Sequence, residues 1–280
     1  MFGHIILRDI PKEQVQLDLL VYEIAGGFRG FAMVPPGAHY VNVKKNDAMQ
    51  AGFWCVVPEE GVVIRVFDHD TGTFKEDTPE NVKTYTELAL GGAMNKSLIP
   101  VLARSPVDAE AWTSLTRHLT LQAFPPALHD EQPMVPPAAA EGRDLGQWFE
   151  QSFKSRFEQA FLGTHKGNIN AFLAEFEHAY LQMLLGNDEA AGKRWRHLLL
   201  AVFNAGEHAM RASPDVFPPL VDVIVTQLIY MPDEFFDAGA IGSQGQYMVE
   251  DLCDTGIVEL AYKGDLLGTI LADRKAPMQG

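Results

Sequence analysis

The stretch INAFLAEFEHAYLQMLLGNDEAAGKRWRHLLLAVFNAGEHAM, residues 169–210, decides how the second half of this chain is built. Ile169, Phe172, Leu173, Phe176, Ala179, Tyr180, Met183 and Leu184 recur at three- and four-residue steps. That spacing lines one side of a helix, with Asn170, Glu175, His178 and Gln182 mostly off it. Ala191, Trp195, Leu198, Leu199, Val202 and Phe203 repeat the pattern against Lys193, Arg194, Arg196 and His197. Between the two runs, Gly186 is expected to take the left-handed conformation that closes the first helix. Asn187 is expected to cap the second, with Asp188 and Glu189 at the positive end of its dipole. Two apolar stripes so close in sequence predict an antiparallel helix pair.

Working outward, helical patterning continues on both sides. Leu145 to Phe161 places Trp148, Phe149, Phe153, Phe157 and Phe161 on one side of a helix. Val216 to Tyr230, opened by Ser213-Pro214, is apolar nearly all round and predicts a buried helix. Pro232 to Phe236 restarts a short one, and Tyr247–Cys253 and Ile257–Leu271 finish the chain. Upstream, Pro125, Pro126, Pro133, Pro136 and Pro137 mark a linker by composition. Before that linker the period is extended. His4–Asp9, Val15–Ile24, Phe31–Val34, His39–Val43, Phe53–Val57 and Val62–Phe67 read as about six strands. Pro35-Pro36-Gly37 fits a type II turn, and Pro58-Glu59-Glu60-Gly61 a hairpin between two runs apolar enough to be covered on both faces. Two helices follow, one opened by Thr78-Pro79-Glu80 and one capped by Asp108 and running to about Gln122. The expected fold class is α+β in two domains. Residues 1–124 form a mainly-β, sandwich-like domain with added helices, 125–143 the proline-rich linker, and 144–280 an all-α domain of six or seven helices.

Composition bounds the function. The chain has 280 residues, enough for two cores, and 47% hydrophobic content. No apolar run is long enough to span a membrane, and Met1-Phe2-Gly3-His4 does not open a signal peptide. Cys55 and Cys253 cannot form a disulfide framework and fit a reducing compartment. A formal net charge of -15 argues against broad nucleic-acid binding and favours a basic partner surface. From Ser213 onward 11 residues are acidic and 3 basic, so this quarter carries about half of the excess.

The residues also carry a resemblance. Phe28-Arg29-Gly30 followed by Met33-Val34-Pro35-Pro36-Gly37-Ala38-His39-Tyr40 resembles the signature of the AAR-two splicing-factor family. So do Leu184-Leu185-Gly186-Asn187 with Ala190, Trp195 and Leu198-Leu199, and Gln227-Leu228 with Pro232, Phe235-Phe236-Asp237 and Ser243-Gln244. The resemblance implies a β domain followed by a helical domain similar to the peptide-binding VHS fold. It implies a non-enzymatic assembly factor that accompanies the large central protein of the spliceosomal U-five particle during maturation and leaves before splicing. It implies a protein partner, no cofactor, no direct nucleic-acid or membrane contact, and a cytoplasmic location with the nucleus as a second compartment. The family's long insert between domains is here cut to about Pro125–Arg143, and the extended C-terminal tail of some members is not seen after Gly280.

Several patterns invite other chemistry. Asp70-Thr71-Gly72 and Asp254-Thr255-Gly256 match the triplets that aspartic proteases pair across two β lobes. The second triplet ends a helical stretch, so two turns are the plainer reading. Glu175-x-x-His178 has the spacing of di-iron bundles but lacks a second copy; no zinc motif or phosphate loop is present. Five residues are candidates for partner contact. Arg29 and His39 sit in the signature, where a structural role in the loop is the alternative. Lys193, Arg194 and Arg196 form a basic cluster that could equally be the outer face of a helix. The leading expectation is a protein-binding assembly factor. The alternatives are a helical adaptor with a partner unrelated to splicing, and an aspartic-type hydrolase.

Overall fold

A computed structural model describes residues 1–11, 14–24, 26–45, 48–101, 106–120 and 156–275. They divide into two compact units, one containing the described residues up to 120 and the other nearly all of those from 156 on. The fold is α+β, a two-sheet N-terminal unit and a helical C-terminal unit. The expected linker at 125–143, and Trp148, Phe149 and Phe153, lie outside the described residues.

Among the described residues the first unit has nine strands: β1 (Gly3–Arg8), β2 (Gln14–Leu17), β3 (Leu20–Glu23), β4 (Gly30–Val34), β5 (Gly37–Lys45), β6 (Ala48–Val57), β7 (Val62–Asp68), β8 (Thr73–Lys75) and β9 (Leu98–Pro100). They form a five-stranded sheet in the order β8-β7-β1-β4-β9 and a four-stranded sheet in the order β3-β2-β5-β6. The sheets face each other. Ile5, Leu7, Phe31 and Val34 of one meet Val15, Leu17, Val41, Val43, Cys55 and Val57 of the other in a single apolar cluster. Ile6 points to the opposite side of β1, where Ile64, Ala89, Met94 and Leu98 close a second, smaller core. Alternation along a strand sends Ile5 and Ile6 to opposite faces. The unbroken apolar run in β1 therefore reflects covering on both. The cover on the outer side is helix α1 (Pro79–Leu90), which contributes Ala89, with Tyr85 packed alongside. Thr78 caps α1 as expected, its side chain accepting from Asn81 N.

The prolines mark where the chain changes sheets. Pro35-Pro36 carries it from β4 to β5, and Pro58–Gly61 from β6 to β7. A proline has no N–H to give a ladder, so pairing stops there. This overturns the expected hairpin at Pro58–Gly61. The tight turn exists, with Gly61 N donating to Pro58 O at 3.1 Å. However, β6 pairs with β5, whereas β7 runs parallel to β1 and antiparallel to β8. Nor does Gly37 sit in a type II turn. Its φ of +128° is far from the +80° of that turn and starts strand β5 directly. The run Val15–Ile24 is two strands, not one, because Asp18 turns it at φ +56°. Helix α2 (Pro106–Leu115) starts earlier and ends sooner than expected, with Asp108 inside its first turn.

The second unit contains α3 (Ile169–Gly186), α4 (Glu189–Phe203), α5 (Glu207–Ala212), α6 (Phe217–Tyr230), α7 (Ser243–Asp254) and α8 (Val258–Lys275), with a wider π-type turn at Gln159–Thr164. The predicted antiparallel pair is α3 and α4. Tyr180 and Trp195 have ring centroids 5.7 Å apart, and Gly192 lies against Met183. The corner between them shifts the expected roles by one residue. Asn187 takes the left-handed conformation at φ +48°, and Asp188 is the cap, accepting from Ala190 N and Ala191 N. Helix α6 is buried on nearly every side, as its composition predicts. Its Gln227 joins three helices. Trp195 Nε1 donates to the Gln227 side chain at 2.8 Å, Tyr180 OH to its carbonyl at 3.0 Å, and Gln227 Nε2 to Phe176 O at 3.4 Å. Phe157, Phe161, Phe172 and Phe217 pack as a connected aromatic group beside them.

Candidate binding surface

In the β unit a concavity lies between the β4–β5 corner and α2. It has a volume of about 520 Å³, and Pro35, Pro36, Ala38, Trp112, Thr116 and Arg117 are among its walls. The corner is held from beneath by a buried polar chain. Asp18, fully buried, accepts from Tyr40 N through Oδ1 at 2.9 Å and faces His39 Nδ1 through Oδ2 at 2.8 Å. The other ring nitrogen, Nε2, is 2.8 Å from Pro35 O. Gln16 Nε2 donates to Asp18 O at 2.7 Å. The left-handed Asp18 aims its carboxylate inward, and His39 transmits that fixed point to the proline corner. On the other side Trp112 Nε1 donates to Ala38 O at 2.9 Å and its ring stacks on Trp54, 6.0 Å between centroids and 16° between planes. Trp54 in turn packs on Tyr40. The signature segment is thus clamped from two sides, leaving prolines and a helix face as a rigid, largely apolar wall. Such a surface suits a peptide or protein side chain.

The five candidate contact residues fall into two kinds. His39 is only 2% exposed, with both ring nitrogens engaged. Arg194 is also turned inward, its side chain 10% exposed. Its Nε donates to Glu175 Oε1 at 2.7 Å, and His165 Nε2 meets the other Glu175 oxygen. Burial alone would raise the Glu175 carboxyl, but the hydrogen bonds from His165 and Arg194 hold it below the ordinary range. Of the five candidates, His39 and Arg194 are thus each desolvated and bound to a buried acid. Arg29, Lys193 and Arg196 are on the surface. The Arg29 main chain does structural work, its O accepting from Leu7 N at 2.8 Å and its N donating to Ser97 O at 2.7 Å. It also borders a second hollow of about 280 Å³ with Phe28, Ile10 and the Gly26-Gly27 loop. Lys193 pairs with Glu189 one turn away, and the positive field of Arg196 reaches Asp237. The basic run is therefore not one patch: its middle member, Arg194, faces the core.

The other patterns resolve into local structure. Asp70 lies in the turn between β7 and β8, where Asp68 Oδ1 accepts from the Asp70 and Thr71 amides. Asp254 ends α7, and its carbonyl accepts from Arg211 NH2. Neither triplet spans two similar β lobes. Glu175 is taken by His165 and Arg194, and among the described residues no three His, Cys, Asp or Glu side chains converge to hold a metal. The Cys55 thiol is pushed up to about 12, chiefly by burial, which leaves it unreactive. Sequence reasoning missed Asp18, Trp112 and Arg117. Asp18 interrupts an apolar run and so signals a turn, but nothing in the spacing ties it to His39.

Comparison with known proteins bears on both halves. A family model described as AAR2 N-terminal domain matches residues 2–129, and a second, described as AAR2 C-terminal repeat region, matches residues 130–255. A protein from Oryctolagus cuniculus, Protein AAR2 homolog, is 22% identical over 252 residues, covering 83% of this chain and 73% of that protein.

Proposed function

The chain belongs to the AAR2 family, and on that premise we propose that it is a non-enzymatic, protein-binding assembly factor of the pre-mRNA splicing machinery. The finer reading is that it accompanies the large central protein of the U-five particle during maturation, in the cytoplasm and nucleus. The observation that carries the reading is the match of both family models, in order, along one chain. The geometry agrees with a binding role. The signature residues Pro35–His39 build a fixed, mostly apolar wall around a cleft. The acidic triplets of the hydrolase alternative serve as a turn and a helix end.

Affinity capture of the tagged full chain from its own host, read by mass spectrometry, tests this. Recovery of the large U-five protein with other splicing components is the expected result. Recovery of a single unrelated partner would favour the adaptor reading. Cleavage of peptides at acidic pH, lost on Asp70→Ala or Asp254→Ala, would overturn the non-enzymatic one.

A further inference from the structure

We propose that the outward faces of α7 and α8 form a second docking surface, one that receives a lysine- and arginine-rich amphipathic helix of a protein partner. This rests on the protein-binding reading above but places a contact that the family signature does not include. Along α8, Val258, Tyr262, Asp265, Thr269 and Ala272 follow steps of four and three and are all exposed. Val258 is 86% and Tyr262 66% exposed, one turn apart. Two large apolar side chains placed so on a solvent face are anchors without a partner in this unit. The inward side of the same helix is fully used. Gly264 lies against Leu252 and Cys253 of α7, and Leu260, Leu267 and Leu271 are buried.

Charge selects the occupant. Glu259 and Asp265 flank the anchors on α8, and Glu250 and Asp254 are exposed on α7. The Cys253 thiol is pushed up by burial and then by Asp265 and Asp254, so carboxylates of both helices lie near that residue. Of the three cations of this quarter, Lys263 pairs with Asp222 and Arg274 with Asp233, while Lys275 lies against Gly242, at the far end of α8 from Val258. Arg211 is held by Glu207 and the Asp254 carbonyl. The Asp251 carboxyl of α7 is pushed up to about 6, by burial first and then by Glu207, Asp254 and Glu250. A surface of this kind repels nucleic-acid phosphates and anionic lipid. It attracts a basic segment, whose leucines or aromatics would cover Val258 and Tyr262 while its cations meet the four carboxylates. At 1.5 Å per residue, α8 offers a face of about 27 Å, matching a partner helix of about 18 residues.

The test uses the full chain and a fluorescein-labelled 18-residue peptide, leucine on one helical face and lysine on the other. A second peptide carries glutamate for lysine. Anisotropy titrations should show saturable binding of the lysine peptide only, weakened about tenfold or more by Tyr262→Ala and by Asp254→Asn with Asp265→Asn. All three positions are exposed, so circular dichroism should match the parent. Glu80→Gln with Glu87→Gln on α1 removes the same charge elsewhere and should leave binding unchanged. Absence of saturable binding, equal binding of the glutamate peptide, or equal loss in the α1 variant overturns the proposal. Host capture repeated with the triple α7–α8 variant separates the two readings. Undiminished recovery of splicing proteins sinks the docking face and leaves the assembly-factor reading standing. Specific peptide binding with no splicing protein in any capture does the reverse.

Discussion

The most demanding side chain in the β unit is His39. Its two ring nitrogens lie 2.8 Å from Asp18 Oδ2 and 2.8 Å from Pro35 O, so both are engaged. The pair is buried, so each partner depends on the other. His39→Ala would take from the buried Asp18 carboxyl one of its hydrogen-bond partners, at a cost of about 1–3 kcal/mol. The double variant Asp18→Asn, His39→Ala should cost less than the single one. Urea denaturation measures both, and a single-variant loss below about 1 kcal/mol would show that the pair is not the lock of the proline corner. Asp251 makes the opposite kind of prediction. Its folded pKa, about 6, lies above its ordinary value of 3.8. Between those values the folded state keeps a proton that the unfolded state has lost, so stability falls as pH rises through the window. Asp251→Asn removes that loss. It should raise stability at pH 7 by about 1 kcal/mol after screening at a half-exposed site, and by nothing near pH 4. Thermal melts at the two pH values decide it.

At the scale of elements, helix packing sets the limits. A Cβ at Gly264 would lie 3.0 Å from Cys253 Sγ and 3.2 Å from both Leu252 Cβ and Val249 O. A valine there must push α7 from α8, which costs about 1–3 kcal/mol. At Gly268 the nearest atom is Val249 Cγ1 at 3.4 Å, an ordinary contact. Gly268→Ala should therefore be neutral, or stabilising by up to about 1 kcal/mol through helix propensity. Equal melting temperatures for the two variants would contradict this geometry. The same distinction explains what could be read from the chain. Helices α1, α3, α4 and α6 were legible because their stripes, caps and breakers are local. The α3–α4 corner was legible as a corner but not in its details. Asn187 tolerates the left-handed region almost as glycine does, and Asp188 caps as well as asparagine. The strands were legible but their partners were not. Pro58–Gly61 looks the same in sequence whether the following strand folds back or crosses to the other sheet. The candidate cleft was half legible. Its proline corner announces itself, whereas Trp112 reaches Ala38 across 74 residues and Asp18 reaches His39 across 21. No periodicity records contacts at such separations.

On the scale of the whole molecule, the two units present different chemistry. The β unit offers an apolar cleft bounded by the signature corner, and the helical unit an acidic face with exposed anchors. A stable complex usually buries about 1,200–2,000 Å² in total, more than one cleft of this size supplies. A partner that engages both units gains from linkage, because the second contact forms at the raised local concentration set by the first. We propose a domain boundary within 125–143, so residues 1–124 and 144–280 are the fragments to compare with the full chain, after circular dichroism shows each to be folded. Against the captured partner, the full chain should bind at least about tenfold more tightly than either fragment. Salt should act on the two fragments unequally. The acidic quarter after Ser213 steers a basic surface over a distance that ions screen. Raising ionic strength should therefore slow association of the full chain and of 144–280, and change dissociation far less. Fragment 1–124, which works through apolar contact, should be nearly indifferent. Stopped-flow rates at low and high salt read both effects. If 144–280 alone matches the full chain in affinity, the signature corner serves the fold and not the partner. If association is insensitive to salt, the acidic face plays no part in the encounter.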